Sequence, residues 1–151
     1  MSRVQLALNV ADLDAAVRFY SKLFDTVPAK LRPGYANFAI ADPPLKLVLI
    51  EGPGAPGTLN HLGVEVDDRS DVQAAHERFS AEGLLPTPEE GVACCFAVQD
   101  KVWVDGADGE PWEVYTVLAD VEMPVGELRA VTPGDDALCC SSAPASAARC
   151  C

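Results

Sequence analysis

Residues 5–10, reading Gln-Leu-Ala-Leu-Asn-Val, alternate in the manner of a strand with one buried face. Asp12 then stands where a helix N-cap belongs, and Leu13, Val17, Tyr20 and Phe24, with Ala16 and Leu23 beside them, trace one helical face. Pro28, Pro33 and Gly34 break the chain, after which residues 35–40 and 46–50 read as strands joined by a turn at Asp42-Pro43-Pro44. A breaker run at 52–57 follows, and the plan starts again. Residues 61–66 repeat the strand pattern of 5–10 at a spacing of 56. Ser70 with Gln73 has the form of a capping box, Val72, Ala75 and Phe79 mark the second helix face, and Gly83 ends it. Strand-like stretches come next near 84–87, 94–98, 101–104 and 112–118, with Gly106, Gly109 and Pro111 as turn residues.

The pattern predicts an α+β fold of two tandem βαβββ modules, about 1–52 and 58–119, forming one domain over 1–119 with a cleft between its halves. Beyond it no period of 2 or 3.6 persists, and Pro124, Pro133 and Pro144 punctuate a run rich in alanine, glycine and serine. Residues 120–151 are therefore expected to form a disordered, cysteine-containing tail.

Composition narrows the field of partners. The net charge of −12 argues against nucleic acid and anionic membrane surfaces, both of which need a basic patch. The N-terminus has no apolar signal region, and nowhere do about 18 consecutive apolar residues occur, as a membrane span requires. A cytoplasmic, reducing setting is expected, with free thiols, in a monomer or homodimer.

The six cysteines form three adjacent pairs, Cys94-Cys95, Cys139-Cys140 and Cys150-Cys151. Neighbouring thiols close an unstrained disulfide poorly. They suit two soft donors meeting on one thiophilic atom, such as trivalent arsenic or a soft metal. Consecutive strand residues face opposite ways, so both sulfurs reach one arsenic only from an irregular stretch. Pro86, Pro88 and Gly91 predict such a loop, and we expect it to swing between an open capture state and a closed state. The repeat also makes Gln5 and His61 symmetry mates. With Glu113 on the last strand they offer one imidazole, one carboxylate and one amide oxygen, a set that could grip a divalent ion by one face and leave other positions open.

The double repeat resembles the vicinal oxygen chelate superfamily, which includes glyoxalase I, extradiol dioxygenases and bleomycin- and fosfomycin-resistance proteins. There the metal ligands come from the first and last strands of each module. Gln5, His61 and Glu113 fall on three of those four positions, and the fourth comes near Leu47, which cannot ligate. More narrowly, residues 3–10, 33–49, 58–66, 94–97, 99–104 and 112–119 resemble the C–As lyases of the ArsI type, also known as cadmium-induced proteins. The resemblance implies an Fe(II)-dependent dioxygenase that cleaves the carbon–arsenic bond of trivalent organoarsenicals such as methylarsenite, using dioxygen and releasing arsenite. It implies that Gln5, His61 and Glu113 hold the iron and that Cys94 and Cys95 hold the arsenic. An amide oxygen is a weak donor, so loosely held iron is expected.

Two other functions fit parts of the chain. One is a non-catalytic thiol protein sequestering Cd(II), As(III) or Sb(III); the other is a glyoxalase-like or drug-resistance protein on the same fold. Cys139, Cys140, Cys150 and Cys151 match nothing in the enzyme module, and scavenging of arsenicals is their expected role. His76 reads as a surface helix residue, Asp100 and Lys101 as a hairpin end, and Tyr35, Phe38, Trp103 and Tyr115 as core or cleft wall.

Overall fold

A computed structural model describes residues 2–94 and 96–121. Each half is a βαβββ unit. The first comprises β1 (Arg3–Val10), α1 (Leu13–Leu23), β2 (Lys30–Arg32), β3 (Tyr35–Ile40) and β4 (Leu45–Glu51). The second comprises β5 (Leu59–Glu65), α2 (Arg69–Ala81), β6 (Thr87–Cys94), β7 (Ala97–Asp105) and β8 (Pro111–Asp120). All eight strands form one sheet in the order β2-β3-β4-β1-β5-β8-β7-β6. The first strands of the two halves meet antiparallel at its centre, and each pairs in parallel with the last strand of its own half.

Strand parity decides what each face carries. Leu6 and Leu8 of β1, Ala36, Phe38 and Ile40 of β3, and Leu45, Leu47 and Leu49 of β4 point to one side. They pack there against Leu13, Ala16, Val17, Tyr20 and Phe24, the stripe read from the sequence. On the same side α2 lays Val72, Ala75 and Phe79 on Val102 and Val114. The Asp12 carboxylate caps α1 by accepting from Ala15 N–H at 2.8 Å. The cap of α2 is Asp68, not Ser70: its carboxylate accepts from the backbones of Ser70 and Asp71, and Gln73 turns to Glu77 instead. A carboxylate on orphan N–H groups makes a charge-assisted bond that a hydroxyl does not match.

The opposite face has no layer of helices, yet it is buried because the sheet curls. Phe96, in the turn between β6 and β7, sits against Ala7, Tyr35 and Val48, with its ring centroid 5.7 Å from that of Tyr35. Lys30, on the edge strand β2, donates to the Phe96 carbonyl at 3.3 Å and pairs with Asp120 at the end of β8. One edge of the sheet is thereby tied to the hairpin at the other.

The second half departs from expectation in its register. Residues 84–86 are not a strand; Leu85 lies exposed at positive φ. Strand β6 instead runs through Pro88-Glu89-Glu90-Gly91, which the sequence presents as loop. Pro88 is tolerated because β6 is an edge strand, and Gly91 at φ 59° takes up a bulge between Glu89 and Val92. Residues 94–98 contain the turn itself, and residues 100 and 101 lie in the middle of β7. The expected tail and the pairs Cys139-Cys140 and Cys150-Cys151 lie outside the described residues. Among those described, no helix is long and apolar enough to cross a membrane.

Candidate metal centre

Gln5, His61 and Glu113 come from β1, β5 and β8, three neighbouring strands, and share the concave face. Each is almost wholly buried, at 3%, 2% and 2% exposure. Their polar ends converge. Gln5 Nε2 lies 3.0 Å from His61 Nε2 and 2.8 Å from Glu113 Oε1, and the last two atoms are 3.3 Å apart. Ligands at right angles around an ion, each about 2.1 Å away, are separated by about 3.0 Å. The triangle therefore has the dimensions of one face of a small divalent cation's coordination shell. Among the described residues no three His, Cys, Asp or Glu side chains make such a set, and it is the Gln5 amide that completes this one.

The surroundings are built to permit that convergence. Gly63 sits between Gln5 and Glu113, paired with both across the sheet. A Cβ there would lie 3.1 Å from Glu113 Cγ and 3.3 Å from Gln5 Cβ, so any other residue would press on both side chains by a few tenths of an ångström. The Asn60 Oδ1 lies 2.7 Å from His61 Nδ1, and Asn60 Nδ2 is itself committed to Asn9 Oδ1. Nδ1 therefore carries the ring proton and Nε2 presents its lone pair to the centre, the tautomer a metal ligand needs. Trp103 closes one wall, edge-on to His61 at 5.5 Å.

Lys101 is a member of this group and not a hairpin end. It is 2% exposed, and its ammonium donates to Glu113 Oε2 at 3.0 Å while lying 5.3 Å over the Trp103 ring. Burial alone would raise the Glu113 pKa; its polar neighbours, His61 and above all the Lys101 ammonium that donates to it, outweigh burial and hold the carboxyl near 2. Oε2 is thus engaged by Lys101, and Oε1 faces the centre. Tyr115 also belongs to the site, since its hydroxyl donates to Gln5 Oε1 at 2.5 Å. Burial pushes that phenol far above its usual range. Asp100 faces the other way and accepts from Gly91 N–H and Arg69. His76 lies half-buried on α2, across the sheet from the centre.

The fourth position of the repeat is Val48 and not Leu47. Val48 pairs with Ala7 as Glu113 pairs with Gly63, and Leu47 points to the helices. The backbone of Cys94 closes β6 opposite Ala97, and Phe96 follows at φ 70°, so regular strand alternation ends at the cysteine pair. Cys95 lies outside the described residues. Two signals of the missed members were present in the sequence: an isolated glycine inside a strand at 63, and the shared parity of Lys101, Trp103, Glu113 and Tyr115.

A curled sheet of paired modules frames this buried N/O triad, and sequence comparison identifies the frame. Residues 3–114 match the Glyoxalase/Bleomycin resistance protein/Dioxygenase superfamily, and the chain belongs to that family. It is 58% identical over 142 residues to a trivalent organoarsenical cleaving enzyme of Thermomonospora curvata, covering 93% of this chain and 89% of that protein. It is 67% identical over 122 residues to the cadmium-induced protein CadI of Mycobacterium tuberculosis, covering 81% and 80% respectively. Among solved structures, the Mn(II)-bound glyoxalase of Novosphingobium aromaticivorans shares the fold, with TM-score 0.58 and 22% identity over 80% of this chain and 42% of that one.

Proposed function

We propose that this chain is a C–As lyase that cleaves the carbon–arsenic bond of trivalent organoarsenicals, methylarsenite among them, with Fe(II) and dioxygen. The observation that carries the reading is the buried triangle of Gln5, His61 and Glu113. Its likeness in sequence to the trivalent organoarsenical cleaving enzyme of Thermomonospora curvata supports the substrate class.

In this reading Gln5, His61 and Glu113 hold the iron, which when bound supplies activation of dioxygen. Lys101 keeps Oε2 of Glu113 engaged, so that the carboxylate offers one oxygen, and it offsets the carboxylate charge in a dry site. Cys94 and Cys95 take the arsenic through soft thiolates, while the nitrogen and oxygen donors suit the harder cation, so substrate and metal are sorted by donor type. Phe96 seats the hairpin tip that bears these cysteines against Ala7 and Val48, two strand positions from the triad. That seat brings the arsenic–carbon unit toward the centre and supplies proximity. Trp103 and Phe96 help to exclude water. Swinging of the tip between capture and reaction, and the cytoplasmic setting, belong to the same proposal.

The test is anaerobic loading with Fe(II), then methylarsenite with and without oxygen, with arsenic species separated afterwards. Arsenite must form only when iron and oxygen are both present. Cys94→Ser with Cys95→Ser should keep the iron and lose arsenical binding; an unchanged rate in that variant would remove the cysteines from the mechanism. The resemblance to a cadmium-induced protein favours one second reading, sequestration of soft metals by thiols. A sequestering protein consumes no oxygen when substrate is added, which separates the two.

A further inference from the structure

The hydroxyl of Tyr115 has one proton and two acceptors. Gln5 Oε1 lies at 2.5 Å and Glu65 Oε2 at 3.4 Å, and the tyrosine is fully buried. The shorter arm places the proton on the Gln5 side. Farther along the same side chain, the Gln5 amide nitrogen supplies its two N–H groups to His61 Nε2 and Glu113 Oε1. Without a cation this is the arrangement chemistry demands. Turned the other way, the amide would set Oε1 against the Glu113 oxygen at 2.8 Å with no proton between them. The NH₂ group thus occupies the place of a cation between two acceptors.

A cation held by the triad needs the opposite orientation, because an amide ligates through oxygen. Turning the amide sends Nε2 toward Tyr115, whose hydroxyl then faces a donor with a donor. We infer that Tyr115 and Glu65 form an orientation relay behind Gln5: metal binding turns the amide over, and the Tyr115 hydroxyl rotates to accept from Gln5 Nε2 and donate to Glu65. No proton leaves the tyrosine; only its direction changes. Glu65 is fixed for this task by Arg3, 2.7 Å away, with Lys46 at 3.7 Å. Lys46 also lies 4.9 Å over the Tyr115 ring and keeps it in place. In this role Tyr115 and Glu65 are positioning residues, acting on the metal through Gln5.

The inference rests on the triad being a metal site, and Zn(II), which is diamagnetic, serves as the probe on the full chain. In the metal-free protein, nuclear Overhauser contacts should link the Gln5 amide protons to the His61 ring; on zinc loading they should move to the Tyr115 ring. Zinc affinity, measured by calorimetry, should fall about tenfold in Glu65→Leu, which leaves the rotated hydroxyl without an acceptor. Glu65→Gln, which keeps an acceptor oxygen and removes the charge, should stay within about twofold of the parent. In the Tyr115→Phe background, Glu65→Leu should cost nothing further. A thermal melt of each variant confirms that it is folded. If zinc binds while the amide contacts stay at His61, or if Glu65→Leu costs the same with and without the tyrosine hydroxyl, the relay is wrong and the metal site stands. If zinc fails to bind the parent chain, the metal reading falls and takes the relay with it.

Discussion

The two halves of the sheet follow one backbone plan and line the concave face with opposite chemistry. In the second half His61, Gly63 and Glu113 contribute to a buried polar triad, whereas the mates of Gly63 and Glu113 in the first half are Ala7 and Val48. With Tyr35 they form an apolar socket that receives Phe96. Gln5, the mate of His61, is the one position where the first half reaches across into the polar centre. The first half therefore offers no second polar centre; at the matching positions it seats the hairpin tip through Phe96. Duplication supplied the frame, and a few inward positions divide the labour.

Substitution at matched positions tests that division. His61→Ala or Glu113→Ala should abolish metal binding and all turnover, read by metal content after loading and by arsenic speciation. At the mate of Glu113, Val48→Ala should leave metal content unchanged and cost about 2 kcal/mol in a denaturant titration. Metal loss in Val48→Ala would mean that the socket and the centre are one unit. Next in size, Gly63→Ala should push Gln5 and Glu113 apart and lower metal affinity about a hundredfold, since buried ligands tolerate little displacement. Ala7→Gly, its counterpart, should cost about 1 kcal/mol of stability with no effect on metal.

A smaller effect is expected in the socket itself. Phe96→Ala should destabilise the hairpin seat by about 3 kcal/mol and leave zinc affinity within about twofold, while turnover falls. Calorimetry alongside steady-state rates checks both halves of that statement. The pH dependence of the metal-free protein is smaller still. Glu113 has a folded pKa of about 2 against an ordinary 4.5, so its contribution to stability is complete above 4.5 and drains away as pH falls toward 2. Denaturation midpoints measured between pH 6 and 2 should show that slope, and Lys101→Met should shift the loss to higher pH.

Much of this comparison can be read from the chain alone. The repeat at a spacing of 56 pairs Gln5 with His61, and the last strand offers one inward carboxylate, so the triad follows from pattern and resemblance. Lys101, Tyr115 and Gly63 did not follow, for a physical reason. Their importance lies in contacts across β1, β5, β8 and β7, set by a register that no local propensity announces. A lysine beside an aspartate reads as a solvated turn until β7 is known to run unbroken through both. The missed α2 cap has a simpler cause: Asp68 accepts from the Ser70 and Asp71 N–H groups and from the Ser70 hydroxyl itself, so the helix is capped two residues earlier than the capping box implies.

The hydrogen bond between Gln5 and Glu113 joins residues 108 positions apart in the chain. One lies on the first strand of the sheet in chain order and the other on the last. Neither half by itself holds the full triad, and a chain grown only as far as β7 presents Gln5 and His61 without the carboxylate of Glu113. The triad is thereby assembled only once synthesis has passed β8. On the proposed function, a cation is then offered a folded donor geometry that can discriminate, and an unfinished chain lacks the carboxylate with which to trap the wrong ion.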